Sequence, residues 1–183
     1  MIRSEPAPGI DQVTTHLRLG AAPEIVWTAL MFYEDVPRRP WLLLRLFLPR
    51  PVRSEGNKQQ VGCLVRCTYD RGHLIKRITA VEPARLLRFE VVEQHLGIES
   101  SVQTRDGSYQ LRGIPGGTEV VLTTRYRGLL WPRFLWRPLE RYLGRCLHHH
   151  ILFGMRTALT TEALGAPTFG AGDRAGSSSA ANR

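Results

Sequence analysis

The sequence predicts an α+β domain in which a curved antiparallel sheet wraps around one long C-terminal helix. Three observations predict it. Alternating apolar and polar segments follow one another between residues 60 and 128 with only short turns between them, the pattern of an antiparallel meander. A short helix signal stands directly after the first strand signal. The last apolar stretch is long and helical in character, from about residue 132 to 161. A sheet whose one large cover is a helix curls around it, and the space between the two is the natural cavity.

Residues 1–11 read as a flexible leader, and "QVTTHLRL" (12–19) as the first strand, with Val13, Thr15, Leu17 and Leu19 on one face. In "GAAPEIVWTALMFYEDVP", Pro23 suits a first helical turn and Glu24 complements the positive helix end. Ile25, Val26, Ala29 and Leu30 then supply the apolar spacing of a helix from Pro23 to Phe32. A second short helix or turn is expected near 34–39. Prolines 40, 49 and 51 fence a Leu-rich stretch, Trp41 to Leu48, that is too apolar for an ordinary loop.

Strands follow at 60–69, 73–81, 85–94, 101–113 and 118–128, joined by the turns "DRG", "EPA" and "IPGG". The long helix starts near Pro132, with Pro138 as an internal kink point. Residues 163–183, rich in Gly, Ala and Ser, have little to bury and read as a disordered tail.

Composition narrows the function. Of 183 residues, 43% are apolar and 22% charged, enough for one packed domain. No apolar run reaches the ~20 residues of a spanning helix, and "MIRSEPAPGIDQ" lacks the apolar core of a secretory signal, so a cytoplasmic protein is expected. The net charge of +9 is almost all arginine, Lys58 and Lys76 being the two lysines. Such a balance fits nucleic acid, an anionic membrane surface or acidic ligands. The arginines are spread along the chain rather than clustered, which weighs against nucleic acid. Cys63 and Cys67 lie four apart in one strand, ~13 Å between Cα atoms, too far for a disulfide. With Cys146 they read as thiols.

The motifs "AAPEIVWTAL", "YEDVPRRPW", "VG" at 61–62, "AVEPARLLRFEV", "GGTEVVLTTRY" and "LHHHILFGM", in this order over about residues 12–162, resemble the SRPBCC superfamily of START-like, polyketide-cyclase-like and pollen-allergen-like domains. The resemblance implies the helix-grip fold: seven antiparallel strands around a long C-terminal helix, two short helices after strand 1, and a hydrophobic cavity. It implies an apolar ligand, since members bind lipids, sterols or polyketides and some are cyclases or hydrolases. It transfers no catalytic residue.

Candidate site residues come from faces. On the long helix, Arg133, Arg137, Arg141 and Arg145 recur every four residues and are read as the wet face. Opposite them, within about 40° at 100° per residue, fall Leu139, Leu143 and Cys146, with Phe153 flanking. Of the three consecutive histidines, His150 then points toward the sheet, His149 sits at the edge and His148 lies among the arginines as a solvated group. His150 is expected as the polar anchor of a cavity, able to donate through one nitrogen and accept through the other. Tyr69, Tyr109 and Tyr126 are expected to line it with hydroxyl tips, beside Cys63, Val65, Cys67 and Phe89 from the strands. Glu90 is expected on the outer face, solvated or paired with Arg88.

No metal is expected: Cys63, Cys67, Cys146 and His150 would bind zinc only on converging, and the chain has no CxxC. No GxSxG elbow is present, "IPGGTE" opens no helix, and no cofactor is expected. The expected function is binding, as carrier or sensor, of an apolar small molecule or lipid. A cyclase or dehydratase using the same cavity, with His150 as acid or base, is the alternative. A membrane-peripheral protein is the third reading, with Trp41–Leu48 and Trp131–Trp136 facing an anionic surface.

Overall fold

The computed structural model describes residues 9–32 and 51–164. The turn or helix expected at 34–39, the Trp41–Leu48 stretch, the first eight residues and the tail from 165 onward lie outside the described residues.

The chain runs β1 (Asp11–Leu19), α1 (Pro23–Phe32), β2 (Pro51–Glu55), β3 (Leu64–Tyr69), β4 (Gly72–Glu82), β5 (Leu86–His95), β6 (Val102–Ile114), β7 (Gly117–Gly128) and α2 (Arg133–Leu164). The strands form one antiparallel sheet in the order β1-β7-β6-β5-β4-β3-β2, curled as a half-barrel along α2. Every neighbour from β2 to β7 follows in sequence, so the sheet is a meander, and β1 closes its far edge against β7. Pro51–Glu55 was not legible as a strand. It is short, mostly exposed, and pairs with β3 through a register break at Pro51/Arg53, so it shows no alternation. The strand expected from residue 60 begins only at Leu64, because Val61 and Gly62 form a turn.

α1 has the predicted bounds. It closes one end of the sheet by burying Val26, Ala29, Leu30 and Met31, while Ile25, expected inside, is 53% exposed. Thr118, on β7, is fully buried and donates through Oγ1 to the Ala21 carbonyl at 2.7 Å, which fixes the turn into α1. The core joins this cap to Val65, Ile78, Leu87, Leu111, Val120 and Leu122 from the sheet and to Leu152 and Met155 from α2.

Candidate functional site

Between the inner face of the sheet and α2 lies a cavity of about 280 Å³. Leu74, Phe89, Leu122, Leu143, Leu147 and Ile151 are among its apolar walls. A smaller chamber of about 90 Å³ adjoins it toward β2 and β3. The two share Tyr69, Lys76, Phe89, Tyr109 and Ile151. Phe89 reaches into this space because its cross-strand partner is Gly107: a Cβ there would come within 2.6 Å of the Phe89 ring. Phe89 and Tyr109 then stack obliquely, ring centroids 6.3 Å apart.

Lys76 is the polar centre of this wall. On β4 the inward row is Leu74, Lys76 and Ile78, so alternation aims a lysine at the core. Its Nζ lies 4.4 Å from the centroid of the Phe89 ring, a cation–π contact that favours the charged form. Burial works against that charge; the ionised forms of Cys67, Tyr69 and Tyr109 work for it and prevail, so the pKa stands above the ordinary lysine value. Burial pushes Tyr69 up to about 12 and raises Tyr109 as well. At neutral pH the wall therefore offers an ammonium between two neutral phenols.

The helix face is the second half of the site, and here the expected phase is off by roughly a quarter turn: Leu139 and Leu143 still line the cavity, but His148 joins them. The inward positions of α2 are Glu140, His148, Leu152 and Met155, all buried, the same side that Arg133, Arg137 and Arg141 mark. Those arginines reach β1 with their guanidinium groups while staying partly exposed. Arg133 holds Glu140 through two bonds of 2.7 and 2.9 Å and Asp11 at 2.8 Å; Arg137 reaches Asp11 at 2.5 Å and Arg141 at 3.4 Å. Arginine periodicity marks a wet face only when the carboxylates lie outside too, and here Asp11 and Glu140 are buried. Burial would raise the Asp11 pKa, but hydrogen bonds and charge from Arg137 and Arg133 outweigh it and hold it below the ordinary carboxylate value.

The same rotation puts His148, expected in solvent, at 3% exposure on the cavity wall. Its Nε2 meets Thr124 Oγ1 at 2.9 Å and its Nδ1 meets Thr15 Oγ1 at 3.1 Å, so one hydroxyl donates to the ring and the other accepts from it. Burial, with the neighbouring charge of His149, pushes its pKa down to about 4, so the ring is neutral. Tyr126 Oη is buried and without a hydrogen-bond partner among the described residues; burial pushes that phenol up to about 12.

No family model and no curated protein sequence matches the chain. Solved structures do. The Zhui aromatase/cyclase from Streptomyces sp. R1128 matches with a TM-score of 0.59 over 84% of this chain and 96% of its own, at 16% identity. Norcoclaurine synthase from Thalictrum flavum, solved in complex with dopamine and hydroxybenzaldehyde, matches with a TM-score of 0.55 over 90% and 95%, at 14% identity. Ara h 8.0201 matches with a TM-score of 0.51 over 84% and 99%, at 14% identity. The fold is the helix grip that these structures share. At these identities the likeness is one of fold.

In this helix-grip domain Tyr69, Tyr109, Tyr126, Val65, Cys67, Phe89 and Leu143 lie on one cavity wall or both. His150, Cys63, Cys146 and Phe153 lie on neither. His150 is half-buried away from both walls, and burial alone lowers its pKa. Phe153 is 41% exposed. Cys146 is half-buried beside Tyr142, and Cys63 precedes β3 with its thiol toward Gln60. These positions follow from the turned helix phase, or, for Cys63, from the later start of β3. The zinc set weighed from Cys63, Cys67, Cys146 and His150 does not assemble. Among the described residues His73, Glu93 and His95 are the group whose ligand atoms come within 4.8 Å, on β4 and β5. Glu90 pairs with Arg77 at 2.8 Å rather than with Arg88. Lys76 and His148 are the site residues that the sequence reading missed. The alternation Leu74-Lys76-Ile78 was the available signal for the first; none existed for the second without the phase of α2.

Proposed function

We propose that this chain binds an apolar small molecule between the sheet and α2, as a carrier or sensor. The observation that carries this reading is the cavity of about 280 Å³ with mainly apolar walls and a few fixed polar groups, Lys76, Tyr109, Tyr126 and His148. Apolar burial supplies most of such affinity, at ~25 cal/mol per Å² before entropic costs, and the polar groups set orientation. The folds it shares with a cyclase and with a synthase bound to aromatic molecules support the same use. Native mass spectrometry of the purified chain tests it. A co-purifying apolar molecule, released on mild denaturation and raising the Tm when added back, is expected. A bare mass together with no Tm rise across a panel of aliphatic and polycyclic compounds sinks it.

The alternative is a cyclase or dehydratase, favoured by the convergence of Lys76, Tyr69 and Tyr109 on one wall. Turnover of a bound reactive chain, abolished in Lys76→Met, would select it over simple binding.

A membrane-peripheral placement is supported by a different surface. Trp131 and Phe134 are 85% and 81% exposed, while Leu130 and Trp136 beside them line the larger cavity. An apolar ligand would then enter from an anionic bilayer at that end. Among the described residues no helix is long and apolar enough to cross a membrane. Sedimentation with phosphatidylglycerol vesicles should fall severalfold in Trp131→Ser/Phe134→Ser; equal sedimentation excludes this surface.

A further inference from the structure

Lys76 faces no carboxylate among the described residues. The groups acting on its charge are Cys67, which also shares a hydrogen bond with it, the phenols of Tyr69 and Tyr109, both neutral at neutral pH, and the Phe89 ring. Elsewhere the chain pairs its enclosed charges carefully: Asp11 with three arginines, Glu140 with Arg133 in two bonds. A cation held at a cavity wall without a carboxylate partner is costly unless something that enters the cavity supplies one. A methionine in its place would fill similar volume without that cost.

The surroundings point the same way. Both lysines of the chain, Lys58 and Lys76, lie on the smaller chamber, and Arg53 joins them. Tyr69 and Tyr109 sit on the same wall with neutral hydroxyls able to donate. The larger chamber, beyond Phe89 and Ile151, is lined chiefly by leucine, isoleucine and aromatic side chains. Arg53 is paired with Glu55 at 3.2 Å, so the charge the joined space offers at this end is chiefly that of Lys76, and the space is apolar along its length. Low dielectric and the positive end together attract an anion more strongly than either would in water.

We infer that the ligand is an apolar acid: its anionic oxygen pairs with Lys76 Nζ between the hydroxyls of Tyr69 and Tyr109, and its hydrocarbon body fills the chamber against α2. The inference rests on the reading of the cavity as a ligand site and adds the chemical class. No covalent step is involved. The carboxylate accepts from the ammonium and from the phenols, a charge-assisted contact that accounts for roughly tenfold or more in affinity over a neutral head group.

Three probes that share a chain and differ in the head test this: dodecanoate, dodecan-1-ol and dodecylamine, each titrated calorimetrically at neutral pH below its micelle concentration. The wild-type protein should prefer dodecanoate to dodecan-1-ol by about tenfold or more and bind dodecylamine weakest. Lys76→Met should lose that preference while holding dodecan-1-ol within about threefold of the wild-type affinity. Tyr109→Phe should weaken dodecanoate severalfold and leave the alcohol alone. Equal binding of acid and alcohol by the wild-type chain, a measurement that needs no variant, overturns the inference and leaves the apolar cavity standing. An unchanged preference in folded Lys76→Met also overturns it. If none of the three probes binds, the cavity reading fails for chain ligands and the inference falls with it.

Discussion

The two halves of α2 present the same face to the domain and hold it by different physics. From Arg133 to Arg141 the face is ionic: three arginines close on Asp11 and Glu140 and lash the helix to the first residue of β1. From Leu152 to Met155 it is apolar, with both side chains almost fully buried in the core beside Val26 and Leu30 of α1. His148 sits at the joint, bonded to a threonine of β1 and one of β7. A helix that spans the cavity cannot be glued along its whole length by hydrocarbon without filling the space beneath it. The ionic clamp anchors the end where the cavity lies, and the apolar end closes it.

The largest effect should come from the apolar half. Leu152→Ala and Met155→Ala each remove a side chain with 1% exposure or less, and such truncations cost about 2–5 kcal/mol. Urea unfolding should register the loss, and salt should leave it unchanged, since no charge is involved. A loss below about 1 kcal/mol in both would mean that this half can collapse onto the cavity, and the contrast between the halves would disappear.

The joint should show in acid. His148 has its pKa pushed down from 6.5 to about 4 by burial, so the unfolded chain binds the proton first. Its contribution is complete above the unfolded value of 6.5 and is lost as the pH falls toward about 4. The linkage is worth roughly 3 kcal/mol across that window. The stability difference between wild type and His148→Gln should therefore narrow on acidification from pH 7 to pH 4. A constant difference would mean that the ring titrates as it does in water. This reverses the expectation that His150 is the inward group: His150→Ala should be close to neutral by comparison.

The ionic half should respond more modestly. Asp11→Asn leaves three arginines around a neutral amide, and with the guanidinium groups partly exposed the cost should be about 2 kcal/mol, smaller at high salt. Because the folded Asp11 pKa is depressed, its stabilisation is present above the unfolded value of 3.8 and fades as the pH drops through the lower folded value. That window lies below the His148 window, so denaturation curves taken as a function of pH should separate the two halves. Salt-insensitive Asp11→Asn would show that packing, and not charge, holds this end.

The meander, the α1 bounds and the order of elements were legible because each rests on local periodicity: strands alternate, and "APEIVWTALMF" starts and ends like a helix. β2 was not, since five edge residues with a register break carry no period. The site was half legible for the same reason. Tyr69, Val65, Cys67 and Phe89 follow from strand alternation, and Lys76, which alternates with Leu74 and Ile78, could have been read the same way. On the helix wall Leu139 and Leu143 reach the cavity but His148 was misplaced, because the phase was set by charge, on the premise that arginines seek water. On the first three turns they seek two buried carboxylates, one of them more than 120 positions away in the chain. Only the tertiary contact could reveal that Asp11 is inside.

The smallest effect tests how tightly the two halves are bound to the same strand. Gly144 lies midway between clamp and joint, where a Cβ would stand 3.0 Å from Cγ2 of Val13 on β1. Two terms oppose each other in Gly144→Ala. Helix propensity favours alanine by about 1 kcal/mol, while the Val13 methyl must retreat by a few tenths of an ångström, at a cost of the same order. Since the obstructing atom is one methyl at the end of a side chain and no backbone, the net change should stay within about 0.5 kcal/mol of zero. In a Val13→Ala background the obstruction is gone and the propensity gain should emerge, a coupling of roughly 0.5–1 kcal/mol in a double-mutant cycle. If Gly144→Ala instead destabilises by more than about 2 kcal/mol in both backgrounds, the helix is pressed onto β1 as hard between its anchors as at them. The division into an ionic and an apolar half would then describe the side chains but not the forces.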